Sequence, residues 1–355
     1  MKAFQYSARA QRIVFGAGTI RQVGKEIDAL GVSSVLVLST PEQRRLAEQV
    51  MDLLGARAIG IFDRAVMHVP VETARVACAM AFELGADSVV AIGGGSTTGL
   101  AKAIALEMSL PVLAIPTTYA GSEMTAIYGL TDAGLKRTGT DARVLPRTVI
   151  YDPELTYSLP VSVSVTSGIN ALAHAAEGLY AHDRSPISDL MAREGIQAIA
   201  AALPVLVSER DTAMLHEARA QALYGAWLCG AVLGSVGVAL HHKLCHTLGG
   251  SFNLPHAETH TIILPHALAY NAKAAPGAMA SIAQALGAAN AAQGAFDLAR
   301  TTGAPLGLHQ IGMREDDLDK VCEIALQNQY PNPRPLEAGA IRELLQNAWE
   351  GRRPI

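Results

Sequence analysis

Six of the eleven histidines of this chain fall within residues 241–266, in the run HHKLCHTLGGSFNLPHAETHTIILPH. They are His241, His242, His246, His256, His260 and His266. Imidazole donates, accepts or coordinates near neutral pH, so such a concentration points to metal binding, proton transfer or anion recognition. His242 and His246 stand four residues apart on a predicted helix and share one face. The loop GGSFNLP then has the length and glycine content to return His256 towards that face. Upstream, Asn170, His174 and Glu177 are spaced i, i+4 and i+7 on the helix SGINALAHAAEGL, again on one stripe. Polar stripes inside an apolar domain are costly unless they line a site. His174, His242, His246 and His256 are therefore the candidate catalytic residues. His241, His260 and His266 read as hydrogen-bonded structural residues, with His266 packed beneath the site.

A second kind of chemistry is written in SVVAIGGGSTTGLAKAIAL. Gly93, Gly94, Gly95 and Ser96 follow a hydrophobic strand and open an amphipathic helix. Glycines at such a junction let the backbone approach a diphosphate, and the helix N-terminus supplies unpaired N–H groups. Ser96 and Thr97 add hydroxyls, and Lys102 lies where it reaches an anion or turns inward. The pattern departs from G-x-G-x-x-G at Thr98. A second loop, PTTYAGSE, carries Thr117, Thr118, Tyr119 and Ser122 after the next strand. Two such loops side by side form a dinucleotide crevice at the carboxyl ends of parallel strands. After VLVL the ribose position holds Ser39, Thr40 and Pro41 with no acid, so discrimination between NADH and NADPH should be weak.

The elements that must position these groups follow from periodicity. Arg12–Phe15, Val35–Ser39, Ala58–Phe62, Ser88–Ile92, Val112–Ile115 and Thr148–Tyr151 read as strands. Gly18–Leu30, Pro41–Leu54 and Val71–Leu84 between them read as helices, which implies βαβ units and a parallel, Rossmann-like sheet. Residues 126–141 have the turn chemistry of a hairpin or loop. From about residue 158 strand-like runs vanish, and helical patterns follow at 164–182, 187–203, 211–234 and 237–251. The expected division is an α/β nucleotide-binding domain over 1–157 and an all-α catalytic domain over 158–355. Residues 222–240, ALYGAWLCGAVLGSVGVAL, carry no charge and read as one core helix leading straight into His241.

Composition narrows the partners. Half of the 355 residues are hydrophobic, 17% are charged and the net charge is −4 without basic runs, which argues against nucleic acid. Four scattered cysteines give neither a disulfide framework nor a zinc-thiolate pattern, and the first residues lack the apolar core of a signal peptide. A cytoplasmic enzyme without membrane attachment is the expectation.

Strand–GGGS–helix, PTTYAGSE, the SGINALAHAAE helix, and HHKLCHTLGG followed by LPH together resemble the iron-containing alcohol dehydrogenase superfamily over nearly the whole chain. The resemblance implies its dehydroquinate synthase-like architecture, with the active site in the cleft between an α/β and an α-helical domain. It also implies a metal site of one Asp and three His. By motif those positions are Asn170, His174, His242 and His256, with His246 close to the nicotinamide. Asn170 removes the anionic ligand, and Gly99 stands where many members carry a second Asp. Both departures resemble the maleylacetate reductase branch. That branch implies reduction of the C=C bond of maleylacetate to 3-oxoadipate with NADH or NADPH, during aromatic-ring breakdown, by a homodimer and with no metal. A dianionic substrate suits a pocket without Asp, with Asn170, Lys243 and Arg137 as candidate substrate-binding residues beside the histidines. Lys243 lies about 100° around the helix from His242. The competing enzyme reading is a metal-dependent alcohol or polyol dehydrogenase that tolerates Asn170. A lyase or cyclase like 3-dehydroquinate synthase is disfavoured by the missing carboxylate ligand.

Overall fold

The computed structural model describes residues 4–8, 10–132 and 135–355. The chain divides between Leu159 and Pro160 into two compact units, the first beginning at Ala8, with the residues up to Ser7 belonging to the second.

The first unit is built on six parallel strands: β1 (Arg12–Phe15), β2 (Val35–Leu38), β3 (Ala58–Phe62), β4 (Ser88–Gly93), β5 (Val112–Pro116) and β8 (Thr148–Tyr151). Their order across the sheet is β1-β8-β5-β4-β2-β3. VLVL, SVVAIG and VLAIP are buried throughout, as continuous apolar runs are when helices cover both faces. The two-residue period sorts them. Val35, Val37, Val90 and Ile92 pack with α1 (Val23–Leu30) and α2 (Arg44–Leu54) on one face. Leu36, Leu38, Val89 and Ala91 pack with α3 (Val71–Glu83) and α4 (Gly95–Met108) on the other. Each aliphatic side chain so buried contributes about 1.5–3 kcal/mol.

That order has a consequence for binding. From β2 the chain moves outward to β3, then returns to β4 on the other side of β2. The helices following β2 and β4 accordingly cover opposite faces and leave a crevice between their loops, the switch point at which open α/β sheets bind ligands. Both glycine- and hydroxyl-bearing loops open there. An antiparallel pair, β6 (Ile127–Asp132) with β7 (Leu135–Thr140), accounts for the expected hairpin.

The second unit is helical: α5 (Val161–Gly178), α6 (Pro186–Ser208), α7 (Thr212–Leu233), α8 (Leu240–Phe252), α9 (His256–Asn271), α10 (Pro276–Ala285), α11 (Ala291–Thr301), α12 (Leu318–Leu326) and α13 (Ala338–Glu350). Helix α5 is buried without interruption from Ser164 to Gly178. Its small residues make this feasible: a Cβ on Gly168 would stand 2.9 Å from Leu203 Cδ2 of α6. The single helix expected over 222–240 is corrected. Helix α7 stops at Leu233 and α8 starts at Leu240, because the Gly237 N–H turns out to the Asp183 carboxylate at 2.9 Å. Among the described residues α6, not this segment, is long and apolar enough to cross a bilayer.

Candidate active site

Gly93 ends β4 with φ +152°, and a Cβ there would lie 2.7 Å from Gln43 Oε1. Gly94 N-caps α4 without a side-chain bond, so the first-turn N–H groups of Gly95, Ser96 and Thr97 are left to a ligand. The second loop is tied to the first by Thr117 N donating to Gly93 O at 3.0 Å. Gln43, just after β2, donates through Nε2 to Thr117 Oγ1 at 2.7 Å, a bridge across the switch point that no motif announced. Thr118 sits against Gly94, whose added Cβ would be 3.1 Å from Thr118 Oγ1. The Thr97 hydroxyl is buried and makes no hydrogen bond. Close backbone, open N–H groups and an orphaned hydroxyl fit the diphosphate of a dinucleotide.

One expected cofactor contact is corrected. Lys102 turns inward, where Nζ donates to Ser122 O (2.7 Å), Thr125 Oγ1 (2.8 Å) and Ile127 O (2.7 Å). Its donors hold the 122–127 loop and leave none for a phosphate. Ser122 contributes a carbonyl to that lysine. Tyr119 and Ser39 are fully buried side chains. Thr40 is half-buried and bonds Glu42, whose own backbone N–H and the Thr40 hydroxyl hold its carboxyl below the usual range.

In the helical unit the histidines form a connected network. His174 Nδ1 lies 2.9 Å from His242 Nε2, and their rings stack at 5.1 Å. The other nitrogen of His242, Nδ1, is hydrogen-bonded to Glu177 Oε2. Glu177 Oε1 accepts from the His241 backbone N–H at 2.8 Å. Burial alone would raise the Glu177 pKa, but the facing His242 ring, with the 239 and 241 backbone N–H groups, holds it below the ordinary value. His241 Nε2 and His260 Nδ1 are 2.8 Å apart, and the His260 ring is 4.3 Å from that of His256. Burial first, then neighbouring imidazoles, push His241 and His260 well below the usual histidine range, so both are neutral. His246 Nδ1 is 3.2 Å from the Tyr330 hydroxyl.

The structure thus brings His174, His242, His246 and His256 into one network but changes their parts. Both nitrogens of His242 are engaged, by Glu177 and His174, so it has none to offer a substrate directly. His260, expected to be structural, instead lies at the centre, its ring against those of His174, His241, His242 and His256. Its i+4 spacing from His256 was the available signal. Tyr330 had no sequence signal, since it lies on an irregular segment 84 residues from His246. Lys243 is half-buried with Nζ 5.6 Å over the Tyr330 ring. Arg137 lies in the other unit on β7, 75% exposed and 3.5 Å from Asp132. Asn170 is 3% exposed and its Oδ1 has no hydrogen-bond partner. His266, buried, is depressed to about 4 by that burial.

Three imidazoles, His174, His242 and His260, hold ligand-type nitrogens within 4.8 Å of one another. The set does not fit the carboxylate-bearing ion of the resemblance. The acid is an amide at Asn170, His174 and His242 are hydrogen-bonded to each other, and Glu177 is committed to His242. The chemistry derived from these residues therefore runs through no metal.

Known proteins agree with this architecture. Residues 10–153 match the iron-containing alcohol dehydrogenase model, and 164–349 match the C-terminal model of the Fe-containing alcohol dehydrogenase family. A maleylacetate reductase of Burkholderia cepacia is 61% identical over 355 residues, covering both chains fully. The crystal structure of a putative alcohol dehydrogenase from Ralstonia eutropha JMP134 superposes with a TM-score of 0.98 at 62% identity over both full chains. That of maleylacetate reductase from Agrobacterium tumefaciens gives 0.95 at 53%, again over both full chains. With both halves matched and the fold shared end to end, this chain belongs to the iron-containing alcohol dehydrogenase family and is an oxidoreductase.

Proposed function

We propose that this chain reduces the C=C bond of maleylacetate to 3-oxoadipate with NADH or NADPH and without a metal ion. The observation that carries the reading is an amide, Asn170, beside a buried all-imidazole cluster, in a chain 61% identical to a relative bearing that name. When bound, the reduced nicotinamide supplies the hydride taken up by the enone carbon β to the ketone. Negative charge then develops on the ketone oxygen, and the α-carbon takes a proton. An enolate is far less basic than the alkoxide of an alcohol oxidation, so oriented imidazole donors suffice to hold it. His246 and His256 serve as those donors; His174, with Nδ1 turned to His242, takes up a second proton at Nε2 and, as the imidazolium, gives it to the α-carbon. Lys243, half-buried beside Tyr330 and His246, takes a substrate carboxylate. Asn170 spares the dianion a repulsive charge that an Asp would impose. Gly93 to Thr97 and Thr117 to Thr118 hold the dinucleotide, and the residues after β2 place no acid against a 2′-phosphate until Glu42.

The test is NADH oxidation followed spectrophotometrically with maleylacetate against a panel of aldehydes and ketones. Maleylacetate should be preferred by orders of magnitude, and His246→Ala should lower that rate about 100-fold or more. An aldehyde turned over faster than maleylacetate would sink the reading.

A further inference from the structure

Glu177 is a fully buried carboxylate to which the proposed reaction gives no part. It lies on α5 three residues after His174, so the two side chains stand nearly one above the other on the same helix. Between them they grip one ring of α8. His174 Nδ1 meets His242 Nε2 at 2.9 Å, and Glu177 Oε2 takes His242 Nδ1. A carboxylate only accepts, so the proton of the second contact belongs to His242 Nδ1. Neutral His242 then presents a lone pair at Nε2, and His174 must donate to it from Nδ1. One carboxylate therefore fixes two tautomers in series, and through them the orientation of the His174 ring.

The other oxygen of Glu177 has a separate task. Helix α8 begins at Leu240 with Ala239 as N-cap and no side-chain cap of its own. The His241 N–H is among the first-turn donors that the helix cannot satisfy, and Glu177 Oε1 accepts it at 2.8 Å. The carboxylate thus docks the end of α8 that carries His242 while orienting the ring itself. Oε1 also takes the Tyr180 hydroxyl at 3.5 Å, so both oxygens are satisfied at full burial.

We propose that Glu177 is the positioning residue of this site: by capping α8 and binding His242 it sets the tautomers of His242 and His174 for the reaction. The assignment rests on the reading that these histidines serve enone reduction, but half of its test does not. Glu177→Gln is nearly isosteric and keeps one oxygen, while its NH2 group faces an atom that now must accept. The protein is labelled with 15N-histidine, and the imidazole nitrogens are read by NMR alongside steady-state kinetics and thermal unfolding. In the parent protein His242 should show a protonated Nδ1 and an unprotonated Nε2. In Glu177→Gln that pattern should invert, and kcat for maleylacetate should fall roughly 10–100-fold with KM little changed. Glu177→Asp, which keeps the acceptor chemistry, should restore the parent tautomer and part of kcat. The proposal is overturned if Glu177→Gln keeps the His242 tautomer, whether activity is retained or falls in step with thermal stability. The latter pattern would mark a helix cap and nothing more. A parent protein inert towards maleylacetate would defeat the functional reading alone. The tautomer inversion would still decide the role of Glu177, with kcat read on whichever carbonyl compound the panel identifies.

Discussion

Asn170→Asp restores the acid that a metal-bearing relative would carry, and its consequences follow from burial. Asn170 is 3% exposed, with Oδ1 unpartnered, and sits one turn before His174. An ionised carboxylate placed there without a counter-charge destabilises by about 3–5 kcal/mol. For a helical unit of this size each kcal/mol moves Tm by about 2–4 °C, so the variant in chelator should melt roughly 6–20 °C below the parent. A divalent ion binding the folded state alone at a hundredfold over its Kd returns about 2.7 kcal/mol. Added Zn²⁺ should therefore raise the variant's Tm by roughly 5–11 °C and the parent's hardly at all. Catalysis should move the opposite way. One like charge about 4 Å from a substrate carboxylate costs up to ~4 kcal/mol at an effective dielectric near 20, so KM for maleylacetate should rise by up to about 1,000-fold. Differential scanning fluorimetry with and without chelator, paired with NADH-oxidation kinetics, reads both effects. A variant as stable as the parent in chelator, or a parent that gains as much from Zn²⁺ as the variant, would refute the reasoning.

Two further outcomes test other parts of the molecule. Lys102→Met leaves the Ser122 and Ile127 carbonyls and the Thr125 hydroxyl without their ammonium donor, which should cost about 3–5 kcal/mol in thermal unfolding and raise KM for NADH as the 117–127 loop loosens. An unchanged KM with lowered Tm would separate that loop from cofactor binding. His266, at about 4 when folded against an ordinary 6.5, binds its proton more readily when unfolded. Its contribution to stability is full above pH 6.5 and is lost as pH falls towards 4, by about 3 kcal/mol. His266→Gln should flatten the denaturant midpoint across that window, and an equally steep variant would exclude His266 as a source of the acid sensitivity.

Much of this could be read from the amino-acid order, and the exceptions have physical causes. All six parallel strands were legible, the central ones because VLVL, SVVAIG and VLAIP are apolar on both faces and lead into glycine or hydroxyl residues. The sheet order that creates the switch point was not, since nothing local says that β4 returns to pair with β2. The break between α7 and α8 was legible as the gap between the helical patterns at 211–234 and 237–251, although the uncharged run 222–240 read straight across it. At the site, spacing assembled His174, His242, His246 and His256, because residues three or four apart on a helix must share a face. Direction within the network was not legible. Spacing says that Glu177 shares a stripe with His174, but not that its two oxygens divide between His242 and the His241 N–H. Lys102 was ambiguous for the same reason: a lysine one turn into a phosphate-binding helix reads alike whether it reaches outward or, as here, pins a loop. Tyr330 joins His246 through a connection whose path only the fold defines.

The most direct test of the central claim is the rate of NADH oxidation with maleylacetate by protein stripped of metal, with iron and zinc content measured on the same sample. The full rate is predicted at far less than one ion per chain, with no gain on adding Fe²⁺ or Zn²⁺. Loss of the rate on stripping, with recovery in proportion to the ion returned, would contradict it.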